Sequence, residues 1–257
     1  MKSGGAKNLF FELLGILFVL NPISCSGSGL VKNFQGKAAF DYTAKIVSFG
    51  TRVSGSNGSK AAQDYIIKTL NSLGVQTEKQ VFTATTPLGK IEMTNLVAKV
   101  GKGESDKGKT KIIVVGTHYD TKYMPGITFV GANDGGSGAG VLLVLAGILK
   151  NVSLKNSIWL VFFDGEESFH EKSDDDWFYG SRYFVKGLAN KGLLASMKSM
   201  VLMDMVGDKD FKVNYDKNST PDLLKKTETI AAALGYKKYF FGKVRCFSTS
   251  KTNTYPQ

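Results

Sequence analysis

The chain has 257 residues, 42% of them hydrophobic, and carries a formal net charge of +11. That length suits one mid-sized α/β domain, or at most two small ones, with a substantial core. Lysines and arginines are dispersed, with no basic stripe interleaved with aromatics, which argues for a basic soluble surface and against a nucleic-acid partner.

The first thirty residues form a zone of their own. Lys2 and Lys7 precede an apolar stretch ending at Leu20, which contains Glu12, and Asn21-Pro22-Ile23-Ser24-Cys25 leads into a Ser/Gly spacer. A positive start, a short apolar core and a small-residue exit describe a secretory signal. The core is short for a membrane span. We read residues 1–26 as a signal peptide or lipoprotein signal, 27–37 as a spacer and 38–257 as a single domain. An exported protein is expected, secreted or periplasmic, as a monomer, with a lipid anchor at Cys25 as its route to a membrane. The other cysteine is Cys246, so removal or lipidation of Cys25 leaves no internal disulfide.

Ala38 to Ser48 reads as a short helix, followed by a loop rich in Gly and Ser from Gly50 to Ser59. Lys60 to Leu73 is amphipathic, with Ala62, Ile66, Leu70 and Leu73 at helical spacing and Gly74 as its C-terminal cap. Val81–Ala84 and Thr94–Val100 read as strands around the turn Thr86-Pro87-Leu88-Gly89, and the segment 101–109 as a solvated loop. Lys111–Val115 is a buried strand running into Gly116-Thr117-His118-Tyr119-Asp120. The glycine-rich turn GANDGGSGAG opens an apolar helix, Gly138–Leu149. Ile158–Phe163 and Val201–Met203 are further buried strands, and a helix with Pro221 in its first turn ends at Gly235. Continuous apolar strands alternating with helices predict a central mixed, mostly parallel twisted sheet covered by helices on both faces.

Three of these strands end in acidic or imidazole groups: His118 and Asp120; Asp164, Glu166 and Glu167; and Asp204. Asp134 stands in the glycine-rich turn. In open α/β sheets, sites form beyond the carboxyl ends of the strands. Converging carboxylates repel unless a cation holds them, and a set of Asp, Glu and His without Cys suits catalytic zinc. Adjacent glutamates at a strand end point in different directions, so one can bind metal while the other acts as a general acid/base. Taken singly, such an acid is more often a helix cap, and His118 alone would more often be structural. Asp174-Asp175-Asp176 reads most simply as a solvated loop.

The motif set GTHYD, GANDGGSGAG, FFDGEE, GSR and LMDMVG resembles the zinc aminopeptidase family that also contains the animal-type glutaminyl-peptide cyclotransferases, from about Phe40 to Gly235. The resemblance implies a zinc exopeptidase-like fold, Asp134 and Glu167 as zinc ligands and Glu166 as general acid/base. In the peptidase branch His118 and Asp204 hold a second zinc. In the cyclotransferase branch one zinc is bound, and Asp204 joins a hydrogen-bond network near the catalytic glutamate. The segment SFHEKSDDDWFY between Glu167 and Gly180 is longer than in the aminopeptidases and similar to the cyclotransferases. The branch implied is therefore a glutaminyl cyclase acting on peptide or protein N-termini, with a zinc aminopeptidase as the alternative.

The pattern departs at one end. The family's third zinc ligand is a histidine near the C-terminus, whereas this chain has two histidines, His118 and His170, neither at that position. The segment VRCFSTSKTNTYPQ lacks the family's late strand, and a truncated or frame-shifted end is expected. An inactive remnant or binding module is thus the reading from a different class. Asn57, Asn151 and Asn218 open glycosylation-type triplets, whose use depends on the compartment.

Overall fold

The computed structural model describes residues 33–101, 110–170 and 173–241. The leader, Cys25, Cys246, most of the expected loop at 101–109 and the final segment lie outside the described residues.

The first helix, α1 (Gly36–Val47), begins inside the expected spacer. The reason is Phe34, which is already buried in the main core and draws the chain in ahead of Ala38. Helix α2 (Asn57–Ser72) starts three residues earlier than its apolar periodicity suggests, because Ser56 caps it by accepting the Ser59 N–H. It ends as expected at Gly74, whose N–H reaches Asn71 O. Strands β1 (Thr77–Thr86) and β2 (Gly89–Val100) form a hairpin closed at Thr86 and Gly89. Thr86 Oγ1 accepts from Leu88 N–H and donates to Gly89 O, which builds the turn.

Three further strands complete the sheet: β3 (Ile112–His118), β4 (Ser157–Phe163) and β5 (Met197–Leu202), in the order β1-β2-β4-β3-β5. β3 runs parallel to β4 and β5, whereas β2 is antiparallel to β1 and β4. The sheet is mixed, as expected, although its parallel pairings are no more numerous than its antiparallel ones among the described residues. The hairpin supplies the antiparallel half. Since β3, β4 and β5 are parallel, their carboxyl ends, and the acids that follow them, leave the sheet on one side.

Every residue of β4 is buried. With a two-residue period, its side chains divide between the faces. Ile158, Leu160 and Phe162 pack with α1, α2 and α3 (Gly138–Leu149), while Trp159, Val161 and Phe163 meet Phe184 and Leu188 of α4 (Tyr179–Asn190). Helices therefore cover both faces. α4 has no counterpart in the elements expected from sequence; its Phe184 and Leu188, one helical turn apart, supply the face that packs on the sheet. A last helix, α5 (Pro221–Ala233), joins a separate cluster with Phe211, Phe240 and Phe241. A cavity of about 570 Å³ lies between this cluster and the end of β5, lined by Leu202, Asp204 and Phe241 among others.

Candidate active site

The strand ends meet around one imidazole. His118 is the last residue of β3, and its side chain is 2% exposed. Its Nδ1 faces Asp120 Oδ1 at 3.4 Å and Glu166 Oε2 at 4.0 Å. Its Nε2 faces Asp134 Oδ1 at 3.0 Å and Asp204 Oδ1 at 3.4 Å. Four carboxylates thus converge on a single ring. Neither ring nitrogen completes a well-formed hydrogen bond, so these are charge contacts.

Buried groups hold the glutamate pair from behind. Asp164, fully buried, accepts from Ser54 Oγ at 2.6 Å, Gly165 N–H at 2.9 Å and Thr94 N–H at 2.9 Å. The chain then turns through Gly165 at φ 60°, a left-handed conformation that glycine adopts freely. Asp120 accepts the next two backbone donors, Glu166 N–H on Oδ1 and Glu167 N–H on Oδ2, each at 3.2 Å. With both N–H groups pinned to one carboxylate, the two side chains separate: Glu166 is 22% exposed and Glu167 9%. Lys122 Nζ lies 3.6 Å from Glu167 Oε2, bonds Ser168 Oγ at 2.7 Å and sits 4.1 Å over the Trp177 ring.

Charge crowding sets the protonation of the site. Burial is the main cause that pushes Glu166 up to about 7; Asp120, Asp204 and Asp134 add to it and His118 opposes. Burial, then Asp134, Asp120 and Glu166, likewise push Glu167 up to about 7. For His118, burial disfavours the charged form, but Asp120, Asp134 and Asp204 outweigh it and hold its pKa well above the usual range. Asp134 is held below the usual carboxylate range, chiefly by His118 and also by a contact with Glu167.

The donor set fits a zinc ion. Two buried imidazole nitrogens lack hydrogen-bond partners, the surrounding donors are oxygen and nitrogen, and His118, Asp134 and Asp204 each offer an atom within 4.8 Å of the others. The structure therefore gathers His118, Asp120, Asp134, Glu166 and Asp204 around one ring and places Glu167 against Asp134. Asp134 is the shared corner, with His118 on one side and Glu167 on the other. Asp204 is the most exposed member, at 45%.

Three residues had gone unrecognised. Asp174 and Asp175 are exposed, as a solvated loop requires, but Asp176 is buried. It accepts Phe169 N–H at 3.0 Å, His170 N–H at 2.7 Å and Tyr179 Oη–H at 2.8 Å. His170 itself is exposed and belongs to no metal-capable group among the described residues. Arg52, in what read as a Gly/Ser loop, is fully buried beside the site. Lys122 had no sequence signal beyond its closeness to His118.

Comparison with known proteins gives a consistent result. The family model described as peptidase family M28 matches residues 95–249. The glutaminyl-peptide cyclotransferase of Drosophila melanogaster is 33% identical over 165 residues, covering 62% of this chain and 45% of that protein. The chain spans about half the length of the curated relatives it matches. Among solved structures, an Acidobacteriales bacterium glutaminyl cyclase superposes with a TM-score of 0.75 at 37% identity, covering 81% of this chain and 71% of its own. A Zn-dependent exopeptidase from Parabacteroides distasonis superposes with a TM-score of 0.71 at 26% identity, covering 81% and 75%.

Proposed function

The chain belongs to peptidase family M28, and on that premise we propose that it is a zinc-dependent glutaminyl-peptide cyclotransferase, converting N-terminal glutamine of peptides or proteins to pyroglutamate with release of ammonia. The observation that carries this reading is Glu166: a partly exposed carboxyl, pushed up to about 7, at the mouth of a site whose curated relatives are cyclotransferases.

By the family resemblance Asp134 and Glu167 would hold the zinc, Asp134 being also a member of the metal-capable group with His118 and Asp204, and the ion would supply Lewis-acid polarisation of the glutamine side-chain carbonyl. The chain's own groups do the rest. Glu166 takes a proton from the substrate α-amine as the amine closes on the side-chain amide carbon, and returns it to the departing ammonia as the C–N bond of the amide breaks. Burial raises the Glu166 carboxyl above the usual carboxylate range, which suits a group that must both take and return a proton near neutral pH. Asp120 keeps Glu166 aimed through its backbone N–H. His118 lies between Glu166 and Asp204, facing one with each nitrogen, and so links Asp204 to the proton-carrying glutamate. This extends to Asp204 the network role that the family resemblance implies.

A second reading has one observation in its favour. His118, Asp134 and Asp204 already form a metal-capable group, which suits a two-zinc aminopeptidase in which Glu166 activates water. Incubation with a Gln-peptide and a Leu-peptide separates the two. Ammonia and pyroglutamate from the first are expected; leucine from the second, without either product, overturns the cyclase reading. Zinc content measured on the same sample decides the inactive alternative, which predicts no metal and no turnover. We further propose export, on the strength of the leader read from residues 1–26, with cleavage checked by N-terminal sequencing of the mature protein.

A further inference from the structure

We propose that Arg52 is a positioning residue for the metal site: its guanidinium closes the loop between Tyr119 and Gly131 and thereby sets where Asp134 stands. The proposal rests on the reading of Asp134 as a metal ligand. Arg52 is 0% exposed. Its Nε donates to Tyr119 O at 2.7 Å, Nη1 to Val130 O at 2.7 Å and Nη2 to Gly131 O at 2.9 Å. Its backbone N–H donates to Thr121 Oγ1 at 2.9 Å, and its carbonyl accepts Thr121 N–H at 3.3 Å. Both ends of the loop are therefore tied to one residue that lies far away in sequence.

The choice of residue is informative. A buried cation costs stability unless it is paired, and Arg52 pairs with carbonyls; burial lowers its pKa to about 10, with Asp120 and Asp134 opposing. Three carbonyls on two chain segments need a planar fork of donors, which lysine lacks. The tie also reaches Asp134 directly through the backbone. Gly131 O is shared by Arg52 Nη2 and Gly136 N–H, at 2.9 and 3.1 Å, so Asp134 sits in a turn framed at both ends. Gly131 has φ 48°, and a Cβ there would lie 2.5 Å from Asp134 O and 3.2 Å from Arg52 Nη2. The turn is thus packed between the fork on one side and the carbonyl of Asp134 on the other.

The test is zinc affinity of the full chain, measured by chelator competition, with melting temperature recorded in parallel. Arg52→Lys keeps the charge and loses the fork. Zinc binding weaker by about 10-fold or more is expected, in the range seen when groups supporting metal ligands are removed. In an Asp134→Asn background the same change should cost under about 2-fold, because the ligand through which Arg52 acts is already gone. A loss equal in both backgrounds, or a lower melting temperature with unchanged zinc affinity, overturns the proposal. Failure of Asp134→Asn itself to weaken zinc binding would sink the ligand reading, and Arg52 with it; a loss confined to the Asp134→Asn protein sinks Arg52 alone. Should Arg52→Lys not fold, Thr121→Val removes the hydroxyl that accepts the Arg52 N–H while keeping the side-chain shape, and unaltered zinc affinity there overturns the proposal too.

Discussion

β4 and β5 both send acids into the same site, yet they are held in opposite ways. β4 is buried along its whole length, and its two faces belong to two different cores. β5 is one of the two edge strands of the described sheet; its burial alternates, and Met200 and Leu202 are 39% and 56% exposed. The glutamates after β4 are pinned by the buried carboxylates of Asp164 and Asp120. The segment carrying Asp204 after β5 is held by uncharged acceptors, Met203 N–H to the carbonyl Gly116 O and Val206 N–H to the hydroxyl Ser137 Oγ. The interior strand thus carries the group that needs an accurate aim, and the rim strand carries one that tolerates a wetter setting. A carboxylate that moves protons loses efficiency with small displacements.

The largest effect should follow from removing that aimed group. Glu166→Gln keeps the shape and is expected to lower turnover of a Gln-peptide by about 10²–10⁴-fold while zinc content stays at the parent's level. A loss smaller than 10-fold would move the proton carrier elsewhere.

Next comes the packing contrast. Leu160 is fully buried in β4, and Leu160→Ala should cost about 2–5 kcal/mol in denaturant unfolding. Equal costs at Leu160 and at a β5 position would erase the distinction between the strands.

The pH dependence sharpens the same contrast, since it arises around the pinned glutamates. In the metal-free protein Glu166 and Glu167 are pushed up to about 7 from an unfolded value of 4.5. Between those values the folded state binds more protons than the unfolded one, so stability falls as pH rises through the window. His118, raised above 6.5, acts in the same direction, because its favourable charge is lost as pH climbs through its folded value. Melting of the metal-free chain should therefore drop from pH 5 to pH 8, and zinc should restore more at the upper end. A flat metal-free profile would contradict the crowded-acid description. The smallest effect is expected at the rim: Leu202→Ala should stay within about 0.5 kcal/mol of the parent.

The strand ends were legible in the sequence because the charged and imidazole groups come at the close of apolar runs, so His118, Asp164 to Glu167, and Asp204 announce themselves by contrast with the residues before them. Asp134 could be read from its place in a glycine-rich turn. The supports were not legible. Arg52 reaches Tyr119 and Gly131 across gaps of 67 and 79 residues, and Asp164 reaches Ser54 across 110. No local period encodes such distances. Within Asp174-Asp175-Asp176 three identical side chains offer no basis for choosing which one turns inward, and the fold selects Asp176. α4 escaped notice because its apolar face is sparse beside the polar loop that precedes it.

Asp120 accepts the N–H groups of two successive residues. Such a pair of donors is a small anion receptor, and here the anion is part of the chain. Tethering makes it an internal counterpart to a dissolved carboxylate at very high local concentration, so buffer anions do not compete for the seat. Cutting the tether, as in Asp120→Ala, would turn a structural contact into an ordinary binding equilibrium, and the shape of the glutamate turn would then depend on which salt the protein was dissolved in.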